Sequence, residues 1–170
     1  MTKNNIIMFT ASQGGHFTEL MGLKPLFDKY DSVLVTSNLN ATKDREELKC
    51  FQHIEHSASM AKRRDERAGD KVHSRWSALS AYMTTFWDCI RIYKRYKPAV
   101  VISTGSYIAV PLFIMAKLYG AKTIFIESNA KVYSKTATGK LVELFSDRIY
   151  VQWPEMLSVY KNAEFHGVIH

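Results

Sequence analysis

Ala11-Ser12-Gln13-Gly14-Gly15-His16-Phe17-Thr18 is the stretch on which the reading of this chain turns. It follows Ile6-Ile7-Met8-Phe9-Thr10, a run short and apolar enough to be a buried strand. It precedes a segment whose apolar residues recur with helical spacing. The stretch is therefore a strand-to-helix turn. Two adjacent glycines let the backbone take positive φ and come close to a ligand. The unpaired N–H groups of the first helical turn favour an anion, most often a phosphate. A plain tight turn has the same local signature, so this stretch by itself leaves both readings open.

Outward from the turn, Phe17, Leu20, Met21 and Phe27 fall on one helical face, with Pro25 kinking or ending its first part. Ser32–Thr36 is a second strand, Thr42–Lys49 a short polar helix and Phe51–Glu55 a third strand. The segment 57–75 has six basic residues, Arg63, Arg64 and Arg67 among them, against three acidic ones, with few apolar side chains. We expect a mobile basic loop there, either merely solvated or touching an anionic surface. From Ser74 to Tyr96 runs the strongest helical pattern, in which Trp76, Leu79, Met83, Phe86, Ile90 and Tyr93 define a core-facing stripe. Tyr82, Trp87, Cys89, Ile92 and Tyr96 lie off that stripe, and Arg91, Lys94 and Arg95 crowd its C-terminal end. So broad an apolar surface rimmed by bases suits a membrane or partner contact. A fully buried long helix with cations complementing its dipole suits the pattern equally.

Pro98 ends that helix, and Ala99–Ser103 is a β-branched strand of the kind found inside parallel sheets. A second glycine turn follows in Ser103-Thr104-Gly105-Ser106-Tyr107 and leads into the helix Ile108–Tyr119, closed by Gly120. Lys122–Ile126 is the next strand and ends on Glu127-Ser128-Asn129. A helix near Ser134–Phe145, a strand Arg148–Val151, the turn Gln152-Trp153-Pro154, a short helix Glu155–Tyr160 and a strand near Phe165–Ile169 complete the chain. The alternation predicts an α/β fold: one doubly wound, mostly parallel, Rossmann-like sheet over residues 1–170. Ligands of such sheets bind at the C-terminal edge of the strands, where both glycine turns and the Glu127 cluster fall.

The 170 residues suffice for one domain that buries roughly two-thirds of its unfolded surface. Two distant cysteines without ligand spacing argue for reduced thiols and against a structural metal or disulfide. No cofactor or metal motif is present. No signal peptide pattern opens the chain, and no apolar run is long enough to cross a bilayer, so a cytoplasmic, peripheral protein is expected. The net charge of +7 points to an acidic partner. Nucleic acid is disfavoured because the basic segment lacks interleaved aromatics.

Taken together, Gly14-Gly15-His16, Ser103-Thr104-Gly105-Ser106-Tyr107 with Pro111, Phe125-Ile126-Glu127-Ser128-Asn129, Thr138-Gly139-Lys140 and Val151-Gln152-Trp153 form an ordered set. It resembles the split glycosyltransferase subunits of capsular and exopolysaccharide synthesis, whose eukaryotic relative anchors the dolichyl-diphosphate-chitobiose-forming N-acetylglucosaminyltransferase at the membrane. More distantly, the set is similar to the N-terminal half of the lipid-linked peptidoglycan N-acetylglucosaminyltransferase, a GT-B enzyme. The resemblance implies an acceptor-binding half that works with a separate, small, UDP-sugar-binding subunit on a lipid-diphosphate-linked glycan at the inner face of the cell membrane. It also implies that the chain, ending near Gly167–His170, lacks the donor half. The eukaryotic relatives' N-terminal membrane helix is not in evidence here, and Ile126 stands where the peptidoglycan enzyme has a histidine.

On this resemblance Gly14, Gly15, Gly105 and Ser106 bind the acceptor diphosphate through their backbone, with Tyr107 and Asn129 adding stacking or hydrogen bonds. Glycosyl transfer needs a base for the acceptor hydroxyl. His16 is the first candidate, unless it only hydrogen-bonds a phosphate. Glu127 is an alternative base, unless it orients the acceptor sugar. Arg63, Arg64, Arg67, Trp76, Trp87, Arg91, Lys94 and Arg95 are the expected membrane or partner contacts. A transferase active by itself and a non-catalytic adaptor that recruits and stabilises its partner are the competing functions.

Overall fold

The computed structural model describes residues 5–12, 14–36, 46–57 and 75–169, with the side chains of 75–81 excepted. Of the basic segment expected at 57–75, residues 58–74, with Arg63, Arg64 and Arg67, lie outside the described residues, as does the side chain of Trp76. The polar helix expected at Thr42–Lys49 is only partly within them.

Seven strands form one parallel sheet: β1 (Ile6–Ala11), β2 (Asp31–Thr36), β3 (His53–His56), β4 (Val100–Gly105), β5 (Lys122–Ile126), β6 (Arg148–Val151) and β7 (Ala163–Phe165), in spatial order β3-β2-β1-β4-β5-β6-β7. Every neighbouring pair is parallel, from Ile6 opposite Asp31 at one side to Val151 opposite Phe165 at the other. The chain builds outward from β1 to β3, then returns to lay β4 on the free side of β1. The loops after β1 and β4 therefore leave in opposite directions, which opens a crevice at that switch point.

Alternation along the strands sorts the core onto two faces. Met8, Val33, Val35, Val101 and Phe125 face α3 (Arg75–Tyr96), α4 (Ala109–Tyr119) and α5 (Ala137–Val142). Ile7, Phe9, Leu34, Ile102 and Ile126 face α1 (Gly15–Met21), α2 (Lys24–Lys29) and a 3-10 helix at Glu46–Cys50. Phe9, Phe27 and Phe51 meet there with ring centroids 4.3–6.1 Å apart.

Several sequence expectations are narrowed or corrected. Of the two alternatives at Pro25, the helix ends rather than kinks: α1 stops at Met21 and Pro25 sits in the first turn of α2, where its missing N–H costs nothing. The helix expected at Ser134–Phe145 is limited to Ala137–Val142, with Thr136 as its cap accepting the Gly139 N–H at 2.9 Å. The last strand lies at Ala163–Phe165, earlier than expected, and the short helix before it is a 3-10 helix, Pro154–Ser158.

The largest correction concerns α3. Its buried residues are Thr85, Cys89, Ile92 and Tyr93; of the expected stripe only Tyr93 is fully buried among the described side chains, Phe86 and Ile90 are half-buried, and Met83 is exposed. Both stripes obey helical spacing, and contact with α4 and the sheet selects between them. Cys50 and Cys89 are free, and burial pushes the Cys89 thiol up to about 12, so it is an inert core residue.

Candidate functional site

Three loops meet at the C-terminal edge of the sheet, beside the β1/β4 switch point. In the first, Gly14 takes φ 90°, a conformation that side chains disfavour, and its carbonyl accepts the N–H groups of Phe17 at 2.9 Å and Thr18 at 3.1 Å to start α1. Gly15 is already helical, so the expectation of positive φ at both glycines holds only for Gly14. A Cβ added at either position would meet no atom within 4 Å. The small residues there leave space above the backbone.

The second loop is locked to the first. The β1/β4 register slips between Thr10 and Ala11, leaving Thr104 as an extra residue in β4. This bulge turns the Thr104 hydroxyl to donate to the His16 carbonyl at 2.6 Å, while the Ser12 N–H donates to the Gly105 carbonyl at 3.1 Å. Gly105 has φ 124°, and the His16 ring lies directly on it: a Cβ there would sit 2.6 Å from both Nδ1 and Cε1. That edge of the imidazole is covered, and the side chain is 31% exposed. Nδ1 is buried, which leaves Nε2 as the ring nitrogen away from that contact. Ser106 is buried, with its hydroxyl accepting the Ile108 N–H at 3.3 Å and its carbonyl the Ala109 N–H at 3.0 Å.

His16 has a neighbour that sequence reasoning missed. Glu19, one turn further along α1, points its Oε2 at His16 Nδ1 from 3.6 Å. This carboxylate lifts the His16 pKa above the ordinary 6.5 against the opposing effect of burial, with Thr104 and the charge of Glu127 adding to the rise. The other Glu19 oxygen accepts the Asn129 N–H at 2.7 Å and the Ser128 hydroxyl at 3.0 Å. The available signal was the i, i+3 spacing of His16 and Glu19, which places them on one side of a helix.

The third loop, Glu127 to Thr136, is built around Glu127. That residue is 1% exposed. One oxygen accepts the Ser128 N–H at 2.9 Å; the other accepts the Thr136 N–H at 3.0 Å, the Thr136 hydroxyl at 3.2 Å and the Tyr160 hydroxyl. This candidate base lies at the C-terminal edge of the sheet as expected, and its carboxylate is enclosed there by Ser128, Thr136 and Tyr160. Gly139 completes the enclosure, since a Cβ there would collide with the Tyr160 hydroxyl and approach Glu127 to 2.6 Å. Burial and the adjoining carboxylate raise the Tyr160 pKa strongly, so the phenol stays a donor. Gln152 Nε2 donates to the Glu127 carbonyl at 3.0 Å and Trp153 Nε1 to the Asn129 carbonyl at 2.7 Å. The Val151-Gln152-Trp153 motif thus pins the Glu127-Ser128-Asn129 motif. Asn129 Oδ1 is buried and receives no hydrogen bond from the described residues.

Next to these loops lies an apolar cleft of about 390 Å³ between α3, α4 and α5, lined by Tyr82, Met83, Phe86, Tyr107, Pro111 and Leu141 among others. Tyr107 connects it to the second loop. On α3 itself Trp87 is 62% exposed, and Leu144, just after α5, is 80% exposed. Two of the expected cationic contacts are engaged locally, Arg91 with Asp88 at 3.0 Å and Arg95 with Glu55 at 2.7 Å, while Lys94 faces solvent. Among the described residues no three His, Cys, Asp or Glu side chains converge as a metal site, and no helix is long and apolar enough to cross a membrane.

The family model described as "Oligosaccharide biosynthesis protein Alg14 like" matches residues 6–169. The UDP-N-acetylglucosamine transferase subunit alg14 of Schizosaccharomyces pombe is 33% identical over 99 residues, 55% of this chain and 45% of that protein. The ALG14 subunit of Yarrowia lipolytica is 27% identical over 177 residues, 98% of this chain and 82% of the relative. A Desulfitobacterium hafniense pyrophosphoryl-undecaprenol N-acetylglucosamine transferase is 33% identical over 72 residues, 42% of this chain and 19% of the enzyme. Among solved structures, Acinetobacter baumannii MurG superposes with a TM-score of 0.69 at 14% identity over 98% of this chain. The chain spans 46% of MurG, a likeness of fold.

Proposed function

The chain belongs to the Alg14-like family of oligosaccharide biosynthesis proteins, and from that premise we propose that it is the acceptor-side subunit of a two-component glycosyltransferase. Its rim holds a lipid-diphosphate-linked glycan, and a separate subunit brings the UDP-sugar. The observation that carries this reading is the convergence of His16, Gly105 and the Glu127–Asn129 loop at the switch point, with the imidazole lying on Gly105. The names of the relatives, which describe transferase subunits, support the division of labour and suggest UDP-N-acetylglucosamine as donor.

In this reading the backbones of Gly14, Gly15 and Ser106 face the diphosphate, and Asn129 Oδ1 accepts a sugar hydroxyl, while Gly105, whose N–H donates to Ser103 Oγ at 3.1 Å and whose face carries the imidazole, seats His16. His16 takes the proton of the attacking hydroxyl through Nε2. Glu127, whose oxygens are spent on Ser128, Thr136 and Tyr160, shapes the loop and is not assigned the base. The exposed face around Trp87 and Lys94, with the cleft beside Tyr107, rests on the inner, anionic membrane surface where the lipid carrier resides.

Reconstitution tests this division. With a short-chain polyprenyl-diphosphate sugar as acceptor and a panel of UDP-sugars, transfer is expected only when this chain and its donor-binding partner are mixed. Transfer by this chain alone would overturn the split arrangement, and full transfer by the partner alone would reduce the chain to an adaptor. Acceptor preference in the same assay decides whether the glycan belongs to a capsule or exopolysaccharide, as the motif resemblance implies, or to another oligosaccharide. For the membrane contact, Trp87→Ala and Lys94→Ala are expected to weaken sedimentation with anionic vesicles, and wild-type binding is expected to fall as salt rises. Unchanged binding in both variants would move the contact elsewhere.

A further inference from the structure

Among the described residues, Glu19 is the carboxylate that touches both the His16 turn and the Ser128–Asn129 loop. Its side chain is 12% exposed, and its Oε1 is already engaged by Ser128 and Asn129. Oε2 and His16 Nδ1 are both buried, face each other at 3.6 Å, and have no other hydrogen-bond partner among the described residues. A buried carboxylate oxygen without a donor is costly, and a buried imidazole nitrogen equally so. Each is the group that satisfies the other once the ring tips slightly. Catalytic hydrogen bonds are often long before substrate arrives and shorten in the reacting complex.

We propose that Glu19 is the positioning residue of the transfer reaction: it fixes the His16 tautomer with Nδ1–H toward the carboxylate and Nε2 toward the acceptor, and ties that orientation to the seating of the Ser128–Asn129 loop. This rests on the acceptor-site reading above. The acceptor hydroxyl oxygen bonds to the anomeric carbon of the UDP-sugar as the carbon–oxygen bond to the diphosphate breaks, and its electron pair leaves on UDP. The hydroxyl proton passes to His16 Nε2. Glu19 remains ionised throughout and faces the imidazolium that forms, so the positive charge arises beside a negative one already in place. Ser128 and Asn129 hold the carboxylate from the far side, so misplacement of their loop by a poorly fitting acceptor sugar also releases His16.

Glu19→Gln separates this role from a merely structural one, because the amide oxygen still accepts from Ser128 and Asn129 while the charge is lost. Among the described residues the charged groups acting on His16 are Glu19 on its own helix and Glu127 just after β5, and β4 presents the Thr104 hydroxyl and the Gly105 backbone. In the histidine-labelled chain, the His16 resonance, assigned by its absence from His16→Ala, is expected to titrate at lower pH in Glu19→Gln than in wild type. In the reconstituted complex, kcat is expected to fall by about 10²-fold, at the lower end of what a general base contributes, with acceptor KM nearly unchanged. The acidic limb of the pH–rate profile is expected to move down with the titration. Ser128→Ala, which removes one bond to Glu19 and no charge, is expected to give a smaller loss in the same direction. An unshifted His16 titration in a folded Glu19→Gln chain overturns the proposal, as does a wild-type kcat. Full activity of His16→Ala would instead overturn the base assignment, and the titration would still report whether Glu19 controls the ring.

Discussion

Replacing His16 by alanine is expected to lower kcat of the assembled transferase by about 10²- to 10⁴-fold, the range a positioned general base supplies. Folding is expected to be little affected, because the ring is partly exposed and the contact that ties its loop to β4 is made by the His16 backbone carbonyl with Thr104. Glu127→Ala should behave in the opposite manner. It removes an acceptor that four buried or half-buried donors share, and each buried donor left unsatisfied costs about 1–3 kcal/mol. Urea denaturation of the isolated chain, set beside activity per folded complex, reads the two effects separately. A Glu127→Gln chain of normal stability that loses as much activity as His16→Ala would make Glu127 a participant in the chemistry.

Gly105→Ala is expected to damage both properties at once. At φ 124° an L residue is strained by about 1–3 kcal/mol. The new Cβ, 2.6 Å from the imidazole, would also push His16 off the loop and away from Glu19. The expected result is a lower unfolding midpoint together with a kcat loss approaching that of His16→Ala. Gly15→Ala supplies the contrast. Its position is helical and open, so alanine should raise stability by up to about 1 kcal/mol, while the methyl group intrudes on the space assigned to the diphosphate and raises acceptor KM. Gly15→Ala with unchanged KM would mean that the ligand does not approach that backbone.

Local chemistry made much of this architecture legible. Alternating short apolar strands and amphipathic helices bury their faces in a layered α/β sheet, so the fold class and both glycine turns were visible from Ile6, Val100 and Lys122 onward. The two turns could be assigned to one edge because parallel strands send all their C-termini the same way. The stripe on α3 was not legible. Its sequence carries two overlapping apolar faces, and burial of Cys89 and Ile92 in place of Met83 is decided by how α4 and the sheet lie against it.

The candidate site divides along the same line. His16, the glycines and the Glu127-Ser128-Asn129 run are set by residue type and spacing, because turn geometry and side-chain chemistry are properties of a few adjacent residues. How they are placed relative to one another depends on contacts between residues about 90 to 110 positions apart. A slip of one residue in β4 aims Thr104 at the His16 carbonyl. Tyr160 and Thr136 close around Glu127 and make this rim carboxylate the centre of a loop. Glu19, which in sequence is one more acidic residue on a short helix, has one oxygen on the Asn129 loop and the other facing His16. Such roles depend on distances between strands that only the register of the sheet defines, and the register emerges when both faces of the sheet are packed.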